Sequence, residues 1–178
     1  MQNDSEKELI EATVNGDIES FGELARRYYA AMTAIAYSVL ADHQLAEDAA
    51  QESFARGLVN LKNLKSKARF VPWLASICRN IARDMYAAKA RQINSKKLLQ
   101  AAEKNDDYET KHLIRQAIEQ LPASTKELIV LRYYNGLSYD EIGSVLGISK
   151  ATINGRLTRA KRKLKKFLKR NGFPENRL

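Results

Sequence analysis

The sequence predicts an all-α protein: two small helical domains joined by a flexible linker, the second a helix-turn-helix domain. Three observations predict it. First, only 8 Gly and 3 Pro interrupt 178 residues, and apolar residues recur every three or four positions, whereas Val, Ile and Thr seldom alternate with polar residues as strands require. Second, the stretch AAEKNDDYET contains no aliphatic larger than alanine and divides the chain. It predicts a linker over 93–109 between domains at 1–92 and 110–178. Third, the second half carries two short helical patterns broken by a single turn glycine, Gly147.

The elements follow in order. Ser5 and Glu8 have the spacing of a capping box, so a first helix is expected to start there, and Gly16 ends it. Asp17 caps a second helix whose apolar face is Phe21, Leu24, Ala25, Tyr28, Met32, Ile35, Ala36 and Val39. Asp42 opens a third, carrying residues 46–61. After a polar loop over 60–67, a fourth helix begins near Arg69 with Pro72 in its first turn, where a missing N–H costs nothing. Phe70, Trp73, Leu74, Ile77, Ile81 and Met85 form its apolar stripe. In the second domain Leu113, Ile114, Ala117, Ile118 and Leu121 precede Pro122. A helix over 123–134 then stops at Asn135-Gly136. Ser138 caps a short helix with Asp140 and Glu141 in its first turn, and Ser149 caps the last and longest, running to about Arg170.

Composition excludes several classes. The single cysteine, Cys78, cannot form an internal disulfide and reads as a small buried residue. With only His43 and His112, both read as solvated or capping residues, no tetrahedral zinc site can be assembled. No metal and no cofactor are therefore expected. No run approaches the roughly 20 apolar residues of a membrane span, and the N-terminal MQNDSEKELIEA lacks the features of a secretion signal, so a cytoplasmic protein is expected.

The net charge of +9 is segregated along the chain. Residues 1–52 carry 3 basic and 11 acidic side chains, residues 53–97 carry 11 and 1, and residues 126–178 carry 13 and 4. Two basic blocks separated from an acidic one predict two polyanion-contacting surfaces and a third surface for a partner that is not a nucleic acid.

Residues 137–168, LSYDEIGSVLGISKATINGRLTRAKRKLKKFL, have the form of a helix-turn-helix. Ile142, Val145 and Leu146 of its first helix pack against Ile153 and Leu157 of its second. Gly147 supplies the left-handed backbone position of the turn, which costs a side-chain-bearing residue about 1 kcal/mol or more. The second helix presents Lys150, Thr152, Asn154, Arg156, Arg159 and Lys163 opposite its core face, where they would reach base edges and phosphates of a major groove.

Three blocks in one order carry a family resemblance. Ala46-Glu47-Asp48, Gln51-Glu52 and Phe54 fit the pattern AEDxxQExF. Phe70, Trp73-Leu74, Ile77, Asn80 and Asp84 fit FxxWLxxIxxNxxxD. Leu121-Pro122, Leu131-Arg132-Tyr133, Gly136 to Tyr139, Glu141-Ile142, Leu146 to Ser149, Thr152, Arg156-Leu157 and Arg159-Ala160 fit the third. The chain resembles the extracytoplasmic-function (ECF) sigma factors of bacterial RNA polymerase over nearly its whole length.

The resemblance implies a non-enzymatic factor that joins bacterial core RNA polymerase and directs it to promoter DNA, recognising paired elements and opening the strands. It implies no small-molecule substrate. Asp48, Gln51, Glu52 and Phe54 carry over as polymerase-docking residues. Arg79, Asn80, Arg83, Asp84, Tyr86 and Lys89 carry over to the minus-10 element. Asn80 and Asp84 are the best base readers, and Trp73, Phe70 and Ile77 are expected in the core. Lys150, Thr152, Asn154, Arg156, Arg159 and Lys163 carry over to the minus-35 element. Here Asn154-Gly155 departs from the usual Lys-Ser or Lys-Thr before the arginine. An anti-sigma factor as partner is implied by the resemblance alone.

Two other readings compete. A stand-alone helix-turn-helix regulator would bind duplex DNA without polymerase, but it leaves the one-signed flanks of the Trp73 helix unexplained. A nucleic-acid-processing enzyme would use Glu47, Asp48 and Glu52 with a divalent metal, yet no partner base or phosphate loop accompanies them.

Overall fold

The computed structural model describes residues 2–95 and 106–173, and among them there is no β-strand. The eight α-helices are α1 (Gln2–Val14), α2 (Ile18–Leu40), α3 (His43–Asn60), α4 (Phe70–Ser95), α5 (Asp106–Glu119), α6 (Ala123–Ile129), α7 (Tyr139–Leu146) and α8 (Lys150–Arg170). Two 3₁₀ turns, Leu61–Asn63 and Lys67–Arg69, fill the loop before α4, and a π-helical turn, Val130–Tyr134, prolongs α6.

Local chemistry sets most of the boundaries. Asp17 caps α2 by accepting from the Glu19 and Ser20 amides, and Asp42 caps α3 by accepting from Leu45 N–H. The Ser5 expectation is corrected, because α1 already runs from Gln2 and Ser5 lies inside it. Its hydroxyl accepts from the Arg27 guanidinium, while the neighbouring Glu6 carboxylate is buried and accepts from the Tyr28 hydroxyl. Burial first, then this bond, pushes the Tyr28 phenol well above its usual range. Pro72 sits in the first turn of α4 as expected.

The first half is a bundle in which α2, α3 and α4 pack on one another and α1 lies against α2. Alanines do much of this packing: Ala31, Ala34, Ala36, Ala46, Ala49, Ala50, Ala75 and Ala82 are all buried. Gly57 carries this to its limit, since a Cβ there would stand 2.9 Å from Leu74 Cδ1. Cys78 is fully buried and its thiol donates to the Met32 carbonyl at 3.3 Å. Burial pushes that thiol up to about 11.

The second half is organised by the helix-turn-helix. Ser138 and Glu141 form a reciprocal capping box at the start of α7, Gly147 ends it at φ +67°, and Ser149 caps α8 by accepting from Thr152 N–H. Ile142, Ile153 and Leu157 are buried with Leu128 and Leu131. In the π turn Asn135 N–H reaches back five residues to Val130 O at 3.1 Å. The turn is held by Arg132, which donates to Leu137 O at 2.9 Å with its guanidinium 5.3 Å above the Tyr139 ring.

Of the linker expected over 93–109, α4 claims the part to Ser95 and α5 the part from Asp106, and the rest lies outside the described residues. The two domains pack on each other. α7 packs on α4, α6 and the π turn pack on α2, and the buried apolar residues of both halves form one continuous core. A Cβ at Gly147 would meet Pro72 Cγ at 3.4 Å, so the turn of the helix-turn-helix touches the start of α4.

Candidate nucleic-acid interface

Helix α4 projects the basic block of the first half on two flanks. Asn80 and Asp84, one turn apart, are exposed and face solvent together. Arg79, Arg83 and Tyr86 occupy the neighbouring flank and line a cavity of about 620 Å³ between the two halves. Arg79 is not free: its Nε and Nη2 both donate to Glu127 Oε1 of α6, at 3.1 and 2.8 Å. Lys89 pairs with Asp42 at 2.8 Å, so this cation and the cap of α3 share a bond. That bond holds the Asp42 carboxyl below its usual range. The loop before α4 exposes Lys62, Lys65 and Arg69, while Lys67 pairs with Glu11 of α1.

Helix α3 presents the acidic face. Asp48 and Gln51 are exposed, and Glu52 is half-buried with its carboxylate on Arg56 Nε at 2.7 Å. The expectation for Phe54 is corrected, because only 7% of it is exposed. Its ring sits edge-on to Phe21 and stacks on Tyr29, with centroids 6.3 and 6.4 Å away. Its ring is turned into the bundle, against α2, and fixes α3 from within.

Helix α8 shows a similar division. Lys150, Asn154, Arg159 and Lys163 are exposed, with Lys150 paired to Asp140 of α7 at 2.7 Å. Thr152 is half-buried, its hydroxyl 2.9 Å from that of Ser149. Arg156 is half-buried and lines the cavity from the side opposite Arg83. The minus-35 candidates thus lie on two sides of the helix rather than on one.

The residues that join the halves escaped the sequence reading. Tyr134, on the π turn, stacks on Tyr37 of α2 with centroids 5.3 Å apart. Tyr37 stacks in turn on His43, the first residue of α3, at 4.4 Å, and the Tyr134 hydroxyl lies 2.9 Å from His43 Nε2. Glu127 carried a usable signal: it lies one turn before Leu131 on the buried side of α6, where a carboxylate needs a partner. Tyr37, His43 and Tyr134 carried none, since a pairing across 91 residues leaves no local trace.

This order of surfaces coincides with two family models, Sigma-70 region 2 over residues 24–92 and Sigma-70 region 4 over residues 111–164. The sigma factor SigZ of Bacillus subtilis is 31% identical over 131 residues, 71% of this chain and 74% of that protein. The chain belongs to the ECF sigma factors. The ECF sigma factor SigW of Bacillus subtilis is 28% identical over 92% of this chain and 96% of its own. The probable sigma factor RfaY of Xanthomonas campestris is 30% identical over 80% of this chain, which spans only 39% of that longer protein. Among solved structures, CnrH in complex with the cytosolic domain of CnrY shares the fold at a TM-score of 0.62 and 24% identity, covering 94% of this sigma factor and 99% of CnrH. RpoE of Bartonella quintana, in complex with the anti-sigma factor NepR, shares it at 0.52 and 22%, covering 85% and 98%.

Proposed function

We propose that this sigma factor docks on bacterial core RNA polymerase through the exposed acidic face of α3, with Asp48 and Gln51 as direct contacts and Phe54 as their support. The observation that carries this reading is the order of one acidic helix, α3, followed by two basic ones, α4 and α8, within the two sigma regions. An acidic helix is repelled by DNA and suits a protein partner.

The exposed flank of α4 then stabilises the single strand at the minus-10 element. Asn80 and Asp84 offer hydrogen-bonding edges to an extruded base, Tyr86 a stacking surface, and Arg79, Arg83 and the lysines of the preceding loop track the backbone. Helix α8 enters the major groove at the minus-35 element, with Lys150 and Asn154 near its N-terminus at base edges and Arg159 and Lys163 on phosphates. The chain supplies specificity and strand opening, and the polymerising chemistry belongs to the core enzyme. It is placed in the cytoplasm with that enzyme; no described helix is long and apolar enough to cross a membrane. An anti-sigma factor is the expected restraint, by analogy with the complex of RpoE and NepR.

The test mixes the purified chain with sigma-free core polymerase, followed by gel filtration and run-off transcription from a promoter library. A 1:1 complex that initiates at sites with two spaced elements is expected. No complex, together with tight duplex binding by the chain alone, would return the protein to the stand-alone regulators.

A further inference from the structure

We propose that α1 is the brace that sets the loop before α4 for base selection at the minus-10 element, and that Glu11 is a positioning residue acting through Lys67. The inference rests on the sigma-factor reading and deepens it, because it adds to the DNA-reading surface a helix that lies before the matched region 2, which begins at residue 24.

The loop has little of its own to hold it. Leu61 at one end and Phe70 at the other are buried, but Lys62, Asn63, Lys65, Ser66, Ala68 and Arg69 between them are exposed. Its two 3₁₀ turns are three residues long, and neither has a side-chain cap. Turns so short have poorer hydrogen-bond geometry than an α-helix and do not fix where the segment between them lies. Base discrimination needs groups held within about 0.5 Å of their productive geometry, so the shape of this loop must be set from outside it.

Helix α1 sets it through two ties. The Lys67 ammonium donates to the Glu11 carboxylate, and this bond holds the Glu11 carboxyl below its usual range. Nearer the start of α1 the buried Glu6 accepts from Tyr28, whose ring packs on Phe70, the first residue of α4, with centroids 6.3 Å apart. At 1.5 Å per residue Glu6 and Glu11 lie about 8 Å apart along α1. A segment fastened at Phe70 alone can swing about that point, and the second tie, three residues upstream at Lys67, stops the swing. The brace itself does not yield, since Ile10, at 1% exposure, fixes α1 in the core. The same bond occupies the Lys67 ammonium and keeps it from gripping phosphate at any sequence. With side chains 41% and 56% exposed, the pair contributes little to stability. Its removal is therefore felt in where the loop lies and not in whether the chain folds.

The experiment assembles holoenzymes with core polymerase and scores strand opening, by permanganate reactivity, on promoters that share one minus-35 element and differ by single bases in the minus-10 element. The quantity read is the ratio of opening at the preferred minus-10 sequence to opening at its variants. Glu11→Gln should lower that ratio about threefold, the scale of an exposed ion pair, with Tm and polymerase affinity unchanged. Lys67→Glu should lower it as well, and the swap of Glu11→Lys with Lys67→Glu should restore most of it. A fall that tracks Tm, or one that the swap leaves unrepaired, would overturn the proposal. Wild-type holoenzyme that initiates while Glu11→Gln keeps full discrimination removes the brace alone, whereas a wild-type chain that forms no initiating holoenzyme removes the sigma reading with it.

Discussion

Replacing Gly155 by alanine should make the protein more stable and a poorer reader of the minus-35 element. Gly155 lies in the interior of the 21-residue helix α8. Glycine in a helix interior costs roughly 1 kcal/mol relative to alanine, mostly in chain entropy. A Cβ at this position would meet only the Arg159 guanidinium, with Nη1 at 3.6 Å and Nη2 at 3.9 Å. Those are ordinary van der Waals separations to the end of a flexible side chain, so no steric penalty offsets the gain. For a chain of this size about 1 kcal/mol raises Tm by roughly 2–4 °C. Glycine kept against this advantage suggests close approach of the helix backbone to DNA, where a methyl intrudes. A loss of about 1 kcal/mol there is roughly a fivefold fall in minus-35-dependent initiation. Thermal melts followed by circular dichroism give the first number, and run-off transcription at fixed holoenzyme concentration gives the second. A Tm that stays or falls would refute the packing argument, and a more stable variant with undiminished initiation would refute the DNA-approach argument.

Other substitutions separate docking from folding. Phe54→Ala should cost about 3–5 kcal/mol by emptying a core position, lowering Tm by about 6–20 °C, while Asp48→Arg should leave Tm within about 2 °C and abolish capture of core polymerase in gel filtration. Arg156→Ala should reduce initiation through the minus-35 element, by about 1–3 kcal/mol if a base contact is lost, with polymerase affinity intact; lost polymerase binding would contradict the assignment. The three capping carboxylates titrate below their usual range: Asp17 through its bond from Ser20, Asp42 through Lys89, and Glu141 through its bonds from Ser138. Depressed values mean that their contribution is complete above the ordinary carboxylate range and is lost as the pH falls through it, so urea midpoints should be flat from pH 7 to 5 and drop by pH 3.5. A fall already between pH 7 and 5 would point to another group.

Much of this architecture was legible because helix ends are local events. Asp17, Asp42, Ser138, Gly147 and Ser149 each act within a few residues, so their types suffice to place α2, α3, α7 and α8. Ser5 shows the limit: its capping pattern is genuine, but α1 starts earlier and the hydroxyl finds Arg27 instead. Phe54 shows another. A motif says that a residue matters, yet its helical phase decides whether it touches a partner or holds the helix that does. What joins the halves was illegible, since Arg79 meets Glu127 across 48 residues and Tyr134 meets His43 across 91. Such pairs depend on how two finished surfaces fit, which no local pattern encodes.

The π-helical turn at Val130–Tyr134 behaves as a register clutch. One residue more than the regular repeat rotates everything after it by about 100° relative to α6, and this phase brings Tyr134 over Tyr37. Deleting a single residue there would restore ordinary winding and carry the ring off its seat. Insertions and deletions at this spot thus offer evolution a one-step means of uncoupling the two halves, with no change to a residue that reads DNA.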